Sequence, residues 1–374
     1  MFGRSIQIST KLLSFFALSI IYIGVALIYK LSQPSTGSKS YAYSPASAIA
    51  MAELIKFFMS CFFFYKAPLD SSWVSTSTLH DGTFRSRLTI RATYVKERLR
   101  ADIVWPIFAL ATMYAINNQL TFILFRQVAP SHVNLAKSGS TFVTALLLYY
   151  LVGRKVVGYQ WMGLFLQFLG QVLSQAPSTA AHSDSSMSFS VGLIVLLALN
   201  LSAFCGVLND AVLKRPNVSM HLVNMGLYGL GFIYNLGLYQ LTKAVPSWYG
   251  QDHAPTSFFA GYHFFAVMVI VVNSFMGLAI SAVYKYADAI VKTLASAASV
   301  VILLFIEAIF FGAAVDHVSV IGCINVFVGT YFYFVGPKLR MVEEPSPAPG
   351  SADSEKMPLR TVDIGDDDKP HGEV

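Results

Sequence analysis

Lys292 opens a long apolar stretch and is followed by Ala295, Ser296, Ala297, Ala298 and Ser299, whose small side chains keep the neighbouring volume open. An ammonium group in that setting suits a phosphate or another anion, which lysine holds as a point charge. Lys137 has a similar context, HVNLAKSGST, among Ala136, Ser138, Gly139 and Ser140. Two readings stand for it, an anion contact or a side chain that snorkels to the nearer interface. Glu53 and Lys56 in MAELIKFF, and Asp210 and Lys214 in FCGVLNDAVLKR, have the i,i+3 and i,i+4 spacings at which acid and base pair on a helix. Three consecutive amides, Asn117, Asn118 and Gln119, interrupt another apolar run. They point in different directions, so they line a cavity or bond neighbouring helices. In VYKYADAIVK, Lys285 and Asp288 are expected in a tight turn between two helices, which accounts for both charges without a chemical role.

These groups matter because of what surrounds them. The chain is 55% hydrophobic and 12% charged, with a mean hydropathy of +0.57, the composition of a polytopic membrane protein. An ionisable side chain inside a span costs roughly 2.5–3.5 kcal/mol on insertion scales, so it faces a partner or a water-filled path. Ten apolar runs are expected to cross the bilayer as helices, at 12–31, 43–65, 103–125, 130–151, 159–177, 190–211, 221–241, 262–284, 290–311 and 318–335. The first is read as a retained helix and not as a cleaved signal peptide. Cys61, Cys205 and Cys323 fall inside spans without paired spacing and read as inert buried thiols.

Basic residues mark one side. The stretch 66–101 carries Lys66, Arg85, Arg87, Arg91, Lys96, Arg98 and Arg100, and alternate loops after it carry Arg154 and Lys155, Lys214 and Arg215, Lys285, then Lys338 and Arg340. The intervening loops are poor in basic residues, so the positive-inside rule places both termini in the cytosol. The sequon at Asn217 then faces the cytosol and stays unmodified. The net charge of +6 follows this topology and gives no reason to expect nucleic acid. Residues 338–374 are rich in Pro, Ser and acids and read as a disordered cytosolic tail. Nucleophile, phosphate-loop and metal-ligand spacings are not found, so neither an enzyme, a metal site nor a cofactor is expected.

An internal repeat organises the spans. Gly153, Gly163 and Gly170 recur as Gly312, Gly322 and Gly329 at a constant offset of 159. Five helices per half is an odd number, so the halves cross in opposite senses, as inverted repeats do in secondary transporters with the substrate between them. The expected fold is an all-α polytopic membrane protein of ten transmembrane helices in two inverted five-helix repeats. The first half is 1–177, with a basic cytosolic loop at 66–101, and the second is 178–337. The seven-residue glycine spacing puts small residues two turns apart, where helices approach closely.

From about residue 11 to 337 the chain resembles the nucleotide-sugar transporter family, in particular the branch of CMP-sialic acid and UDP-galactose transporters. The resemblance is carried by YSPASAIAMAELIKFFMS with its Glu-x-x-Lys, by YAINNQ, by GVLNDAVLK, by LVNMGLYGLGFIYNLGL through Asn224 and Tyr228, and by GLAISAVYKYADAIVK. It implies the drug/metabolite transporter fold, and an antiporter exchanging a cytosolic nucleotide sugar for lumenal nucleoside monophosphate in the Golgi or endoplasmic reticulum. The candidate substrate contacts are Asn117, Asn118, Gln119, Lys137, Ser140, Asn224, Tyr228, Lys285 and Lys292. Candidate gating or ion-pair residues are Glu53, Lys56, Asp210, Lys214 and Asp288. The chain departs from the family pattern where Ser140 aligns with the helix-four lysine, Lys137 standing three residues earlier, and at Val223, Gly226 and Leu230. These departures favour a UDP-sugar such as UDP-galactose or UDP-N-acetylglucosamine. A CMP-sialic acid transporter and a non-transporting partner of another nucleotide-sugar transporter are the alternatives, and homo- or hetero-oligomers are open.

Overall fold

The computed structural model describes residues 2–32, 43–67, 84–127, 139–180, 189–215, 218–244, 257–312 and 315–343, and within them the regular elements are eleven α-helices. In chain order these are α1 Phe2–Ser32, α2 Pro45–Lys66, α3 Phe84–Arg98, α4 Ala101–Gln127, α5 Ser140–Val152, α6 Gly158–Ala180, α7 Phe189–Leu213, α8 Met220–Ala244, α9 Phe264–Tyr286, α10 Ala289–Phe311 and α11 His317–Glu343. An all-helical answer follows from the solvent, because in hydrocarbon each backbone N–H and C=O must find its partner within the segment. Among the described residues six helices, α1, α2, α7, α9, α10 and α11, are long and apolar enough to cross a membrane, or seven if the bent pair α3–α4 counts as one span. Large apolar side chains face outward, Leu13 at 71% exposure and Phe310 at 75% among them, as lipid-facing surfaces require. The protein is a multi-pass membrane protein.

Each of the ten expected spans falls on one of these helices, with one correction and one shortening. The stretch 66–101, read as a loop, contains the helix α3. A search for apolar runs cannot see α3, since it is basic and is held by specific polar contacts. The buried Arg91 guanidinium donates to the carbonyl oxygen of Phe64 and, at 2.7 Å, to that of Ala67, capping the end of α2. The expected span 130–151 is described only from Gly139 onward, where α5 is 13 residues long; residues 128–138 lie outside the described residues, and so does the tail from 344.

The most extensive helix packing joins α6 to α11. A Cβ at Gly163 would lie 2.6 Å from the Gly329 carbonyl oxygen, and one at Gly170 would lie 2.6 Å from that of Gly322. The backbones therefore touch, and only glycine permits it. Because the earlier glycine of one helix meets the later glycine of the other, α6 and α11 run antiparallel. Gly153 ends α5 with φ 70° and ψ 20°, and Gly312 ends α10 with φ 67° and ψ 23°. Both are left-handed caps, their N–H groups donating to the carbonyls of Leu148 and Glu307.

The remaining pairs bring distant segments together. α1 packs on α9 and α10, α7 packs on α4 and α5, α2 packs on α8 and α9, and α4 packs on α8. The main buried cluster draws on most of these helices, from Phe15 and Leu18 of α1 through Leu148 of α5 and Leu213 of α7 to Tyr284 of α9 and Leu294 of α10.

Candidate functional site: a polar cavity between ion-paired helix ends

The turn between α9 and α10 organises one end of the bundle. α9 continues through Tyr286, so Lys285 lies in its last helical turn and the connection itself is Ala287 and Asp288. Asp288 is fully buried and caps α10 by accepting a hydrogen bond from the Val291 N–H at 2.8 Å. Its carboxylate also lies 3.0 Å from Lys11 of α1 and 2.6 Å from Arg154, just past α5. Burial alone would raise the Asp288 pKa, but the charges of Arg154 and Lys11 outweigh it and hold the carboxyl well below the usual carboxylate range. Burial likewise works against the Arg154 charge, and Asp288 overcomes it and raises the Arg154 pKa.

Two lysines complete this end. Lys214 pairs with Asp210 at 2.9 Å, at the i,i+4 spacing expected, and donates to the Ala287 carbonyl at 2.7 Å. Lys285 donates to the Leu213 carbonyl at 2.7 Å, satisfying an orphan acceptor at the end of α7. Asp210, Lys214, Lys285 and Asp288, together with Lys11 and Arg154, thus tie α1, α5, α7, α9 and α10 together. Sequence reasoning missed Lys11 and Arg154: the first reads as a flank of a span and the second as one more residue of the positive-inside count. No local spacing links either to Asp288, which is 277 and 134 residues away.

Inward from this network lies a small cavity of about 20 Å³, room for a water molecule, lined by Ser140 and Thr144 of α5, Ser202 and Gly206 of α7, Tyr284 of α9, and Lys292 and Thr293 of α10. Ser140 and Lys292, both expected at a site, therefore share one lining. Thr144, Ser202, Tyr284 and Thr293 escaped sequence reasoning, since a hydroxyl within a helix carries no signal until its face is known. A Cβ at Gly206 would lie 3.1 Å from the Tyr284 hydroxyl, so this glycine leaves that hydroxyl its room. Tyr284 is hydrogen-bonded to Tyr114 of α4, whose hydroxyl also accepts from the Asn209 amide at 3.2 Å.

A second polar cluster lies between α2, α8 and α9. Lys56 pairs with Glu53 at 2.5 Å, as the spacing predicts, and its ammonium sits 4.6 Å from the centre of the Tyr228 ring. The Tyr228 hydroxyl donates to the Gly277 carbonyl at 3.0 Å and lies 2.9 Å from the Ser281 hydroxyl. Glycines make the space for this pair: a Cβ at Gly231 would lie 3.0 Å from a Glu53 carboxylate oxygen, and one at Gly277 would lie 2.6 Å from the Lys56 side chain. Asn224, one turn before Tyr228, is fully buried, and neither its amide oxygen nor its nitrogen has a hydrogen-bond partner among the described residues. Such a group is costly unless something else satisfies it. Asn117 and Asn118 are half-buried on α4 and are not part of the cavity lining. The side chain of Gln119 and the whole of Lys137 lie outside the described residues. The thiols of Cys205 and Cys323 are buried and that of Cys61 is partly so, all three unpaired by disulfides.

Similarity to known proteins is broad. The chain is 27% identical over 303 residues to the UDP-N-acetylglucosamine transporter of Rattus norvegicus, covering 79% of this chain and 86% of that protein. It is 26% identical over 297 residues to CMP-sialic acid transporter 2 of Oryza sativa subsp. indica, covering 79% and 76%, and 26% identical over 326 residues to CMP-sialic acid transporter 1 of Oryza sativa subsp. japonica, covering 85% and 93%. A solved crystal structure aligns with a TM-score of 0.59 over 90% of this chain and 99% of that one, at 14% identity, which bears on the fold alone. The sequence profile of the nucleotide-sugar transporters matches residues 6–334, and with almost the whole helical region inside that match, the chain belongs to the nucleotide-sugar transporter family.

Proposed function

We propose that the protein is an antiporter that exchanges a cytosolic nucleotide sugar, of the UDP-sugar class, for a nucleoside monophosphate across the Golgi membrane, with Lys292 holding phosphate. The observation that carries this reading is the donor set of the cavity, one ammonium among five hydroxyls from Ser140, Thr144, Ser202, Tyr284 and Thr293. Charge-assisted and neutral donors converging on one space suit an anion with several acceptor oxygens. Asn224 and Tyr228 supply a neighbouring polar face, and Asn117, Asn118, Gln119, Lys137 and Lys285 complete the proposed contacts. The ion pairs of Glu53 with Lys56, Asp210 with Lys214, and Asp288 with its two cations serve as gates that hold helix ends together or release them.

Alternating access follows from two inverted halves, 1–177 and 178–337, that rock about the site. The packing supports this division. When α1, α2, α4, α5 and α6 are exchanged for α7, α8, α9, α10 and α11, the pairs α1 with α9 and α10 become α7 with α4 and α5, and both sets occur. The Gly163–Gly329 contact becomes Gly322–Gly170 under the same exchange. The end carrying Lys11, Arg154, Lys214 and Lys285 is the cytosolic one by the positive-inside rule, which puts both termini in the cytosol.

The test is exchange in proteoliposomes. Preloading with UMP should accelerate uptake of a labelled UDP-sugar, and Lys292→Ala should abolish the acceleration while the purified variant keeps its wild-type elution profile. Acceleration by CMP alone would assign a CMP-sugar instead. No exchange with any nucleotide would refute the carrier reading.

A further inference from the structure

We propose that α3 and its flanks form a basic platform that docks on the phosphate headgroups of anionic phospholipids at the leaflet where α2 ends and α4 begins. The axes of α3 and α4 differ by 82° across the break at residues 99–100. With α4 running along the bundle, α3 lies close to the plane of the bilayer, at headgroup level.

Its inner face is fixed to the protein. Arg91 is buried and caps α2 through the Phe64 and Ala67 carbonyls, the Tyr94 hydroxyl accepts from the Ser219 N–H at 3.1 Å, and Tyr94 packs with Phe64 and Leu222. The opposite face is exposed. Thr89, Ala92, Thr93 and Lys96, at spacings of three, four and seven, are all exposed, one helical stripe of small and basic residues without a large apolar side chain, and Arg100 is exposed in the break that follows. Such a face rests on headgroups and does not enter the acyl region, in contrast to an apolar-faced interfacial helix.

The charge matches that occupant. Apart from the inward Arg91, residues 84–100 carry five basic side chains, Arg85, Arg87, Lys96, Arg98 and Arg100, against the single acid Glu97, and of these Lys96 and Arg100 are exposed and Arg98 partly so. Exposed Lys66 and partly exposed Arg215 extend the patch from α2 and from the end of α7. Asp102 opposes Arg100 at 3.8 Å with both side chains mostly exposed, a pair that water screens. Clusters of four to eight Lys or Arg beside a membrane span attract anionic lipid surfaces.

Hydrogen exchange over residues 84–98 tests this on the full-length protein in nanodiscs. Replacing part of the phosphatidylcholine with phosphatidylinositol phosphate should slow exchange there several-fold. The variant Arg85→Glu, Arg87→Glu, Lys96→Glu, Arg100→Glu should lose that difference, and the milder Lys96→Gln, Arg100→Gln should lose part of it, with exchange over α6 and α11 unchanged as the control for folding. Equal protection in phosphatidylcholine alone, or full protection in both variants, overturns the proposal. So does equal protection by inorganic phosphate without anionic lipid, which would make free phosphate the ligand. Deleting the acid-rich residues 344–374 should leave exchange over 84–98 in phosphatidylcholine unchanged; faster exchange would make the tail the occupant of this face and overturn the lipid assignment.

Discussion

Asp288→Asn isolates the charge of the helix-end network from its other role. Asparagine caps a helix about as well as aspartate, so the bond from the Val291 N–H survives while both ion pairs are lost. Lys11 and Arg154 are then left at 19% and 25% exposure facing a neutral amide. Removing one partner of a buried pair costs about 3–5 kcal/mol, and residual contact with water places this case near the lower end, about 3 kcal/mol. Thermal unfolding in detergent micelles should fall on the order of 5 °C. Asp288→Ala should cost about 1 kcal/mol more through the lost cap. The pH dependence has a definite sign. A carboxyl whose pKa is depressed on folding contributes its stability above the unfolded value, about 3.9, and loses it as pH falls toward the lowered folded value. Wild type and Asp288→Asn should therefore differ by a constant amount at neutral pH and converge only in acid. Adding Arg154→Met to Asp288→Asn should recover part of the loss, because the stranded cation is gone. If Asp288→Asn melts within about 1 °C of wild type, the buried bridge contributes nothing and the reasoning from burial and distance fails.

Three further outcomes follow from the packing. Gly170→Ala, with its Cβ 2.6 Å from the Gly322 carbonyl oxygen, should destabilise the α6–α11 seam by about 1–3 kcal/mol through overpacking, read as a lower melting temperature. Gly206→Ala, which brings a methyl 3.1 Å from the Tyr284 hydroxyl, should narrow the cavity and reduce transport in proteoliposomes while leaving the melting temperature within about 1 °C. Glu53→Gln should destabilise more than the double variant Glu53→Gln, Lys56→Met, since the single change leaves the Lys56 ammonium, at 12% exposure, without its carboxylate; with wild type and the single variant Lys56→Met added, the four melting temperatures of the double-mutant cycle measure the coupling.

Local and periodic features were legible from the residues alone. Apolar run length points to the helices that carry the expected spans, six or seven of which among the described residues are long and apolar enough to cross, because the thickness of hydrocarbon sets a minimum helix length, and the i,i+3 and i,i+4 pairs Glu53–Lys56 and Asp210–Lys214 follow from helix geometry. The glycine repeat shows which residues need close approach. It shows neither that α6 and α11 meet each other nor that Gly163 faces Gly329 in place of its own counterpart Gly322. α3 was not legible, because hydropathy detects burial in lipid and α3 is held by hydrogen bonds from Arg91 and to Tyr94.

The sequence by itself determined that this chain is a helical membrane protein, which charges sit inside it, and which charges pair along a single helix, since each of these depends on residues within about two turns of one another or on runs of one solvent preference. Tertiary structure alone decided that Asp288 neutralises Lys11 and Arg154, that Lys285 caps α7, and that Ser140 and Lys292 share a cavity with four further hydroxyls. Those groups lie on different helices, and their meeting depends on how whole helix faces pack, which no spacing along the chain encodes.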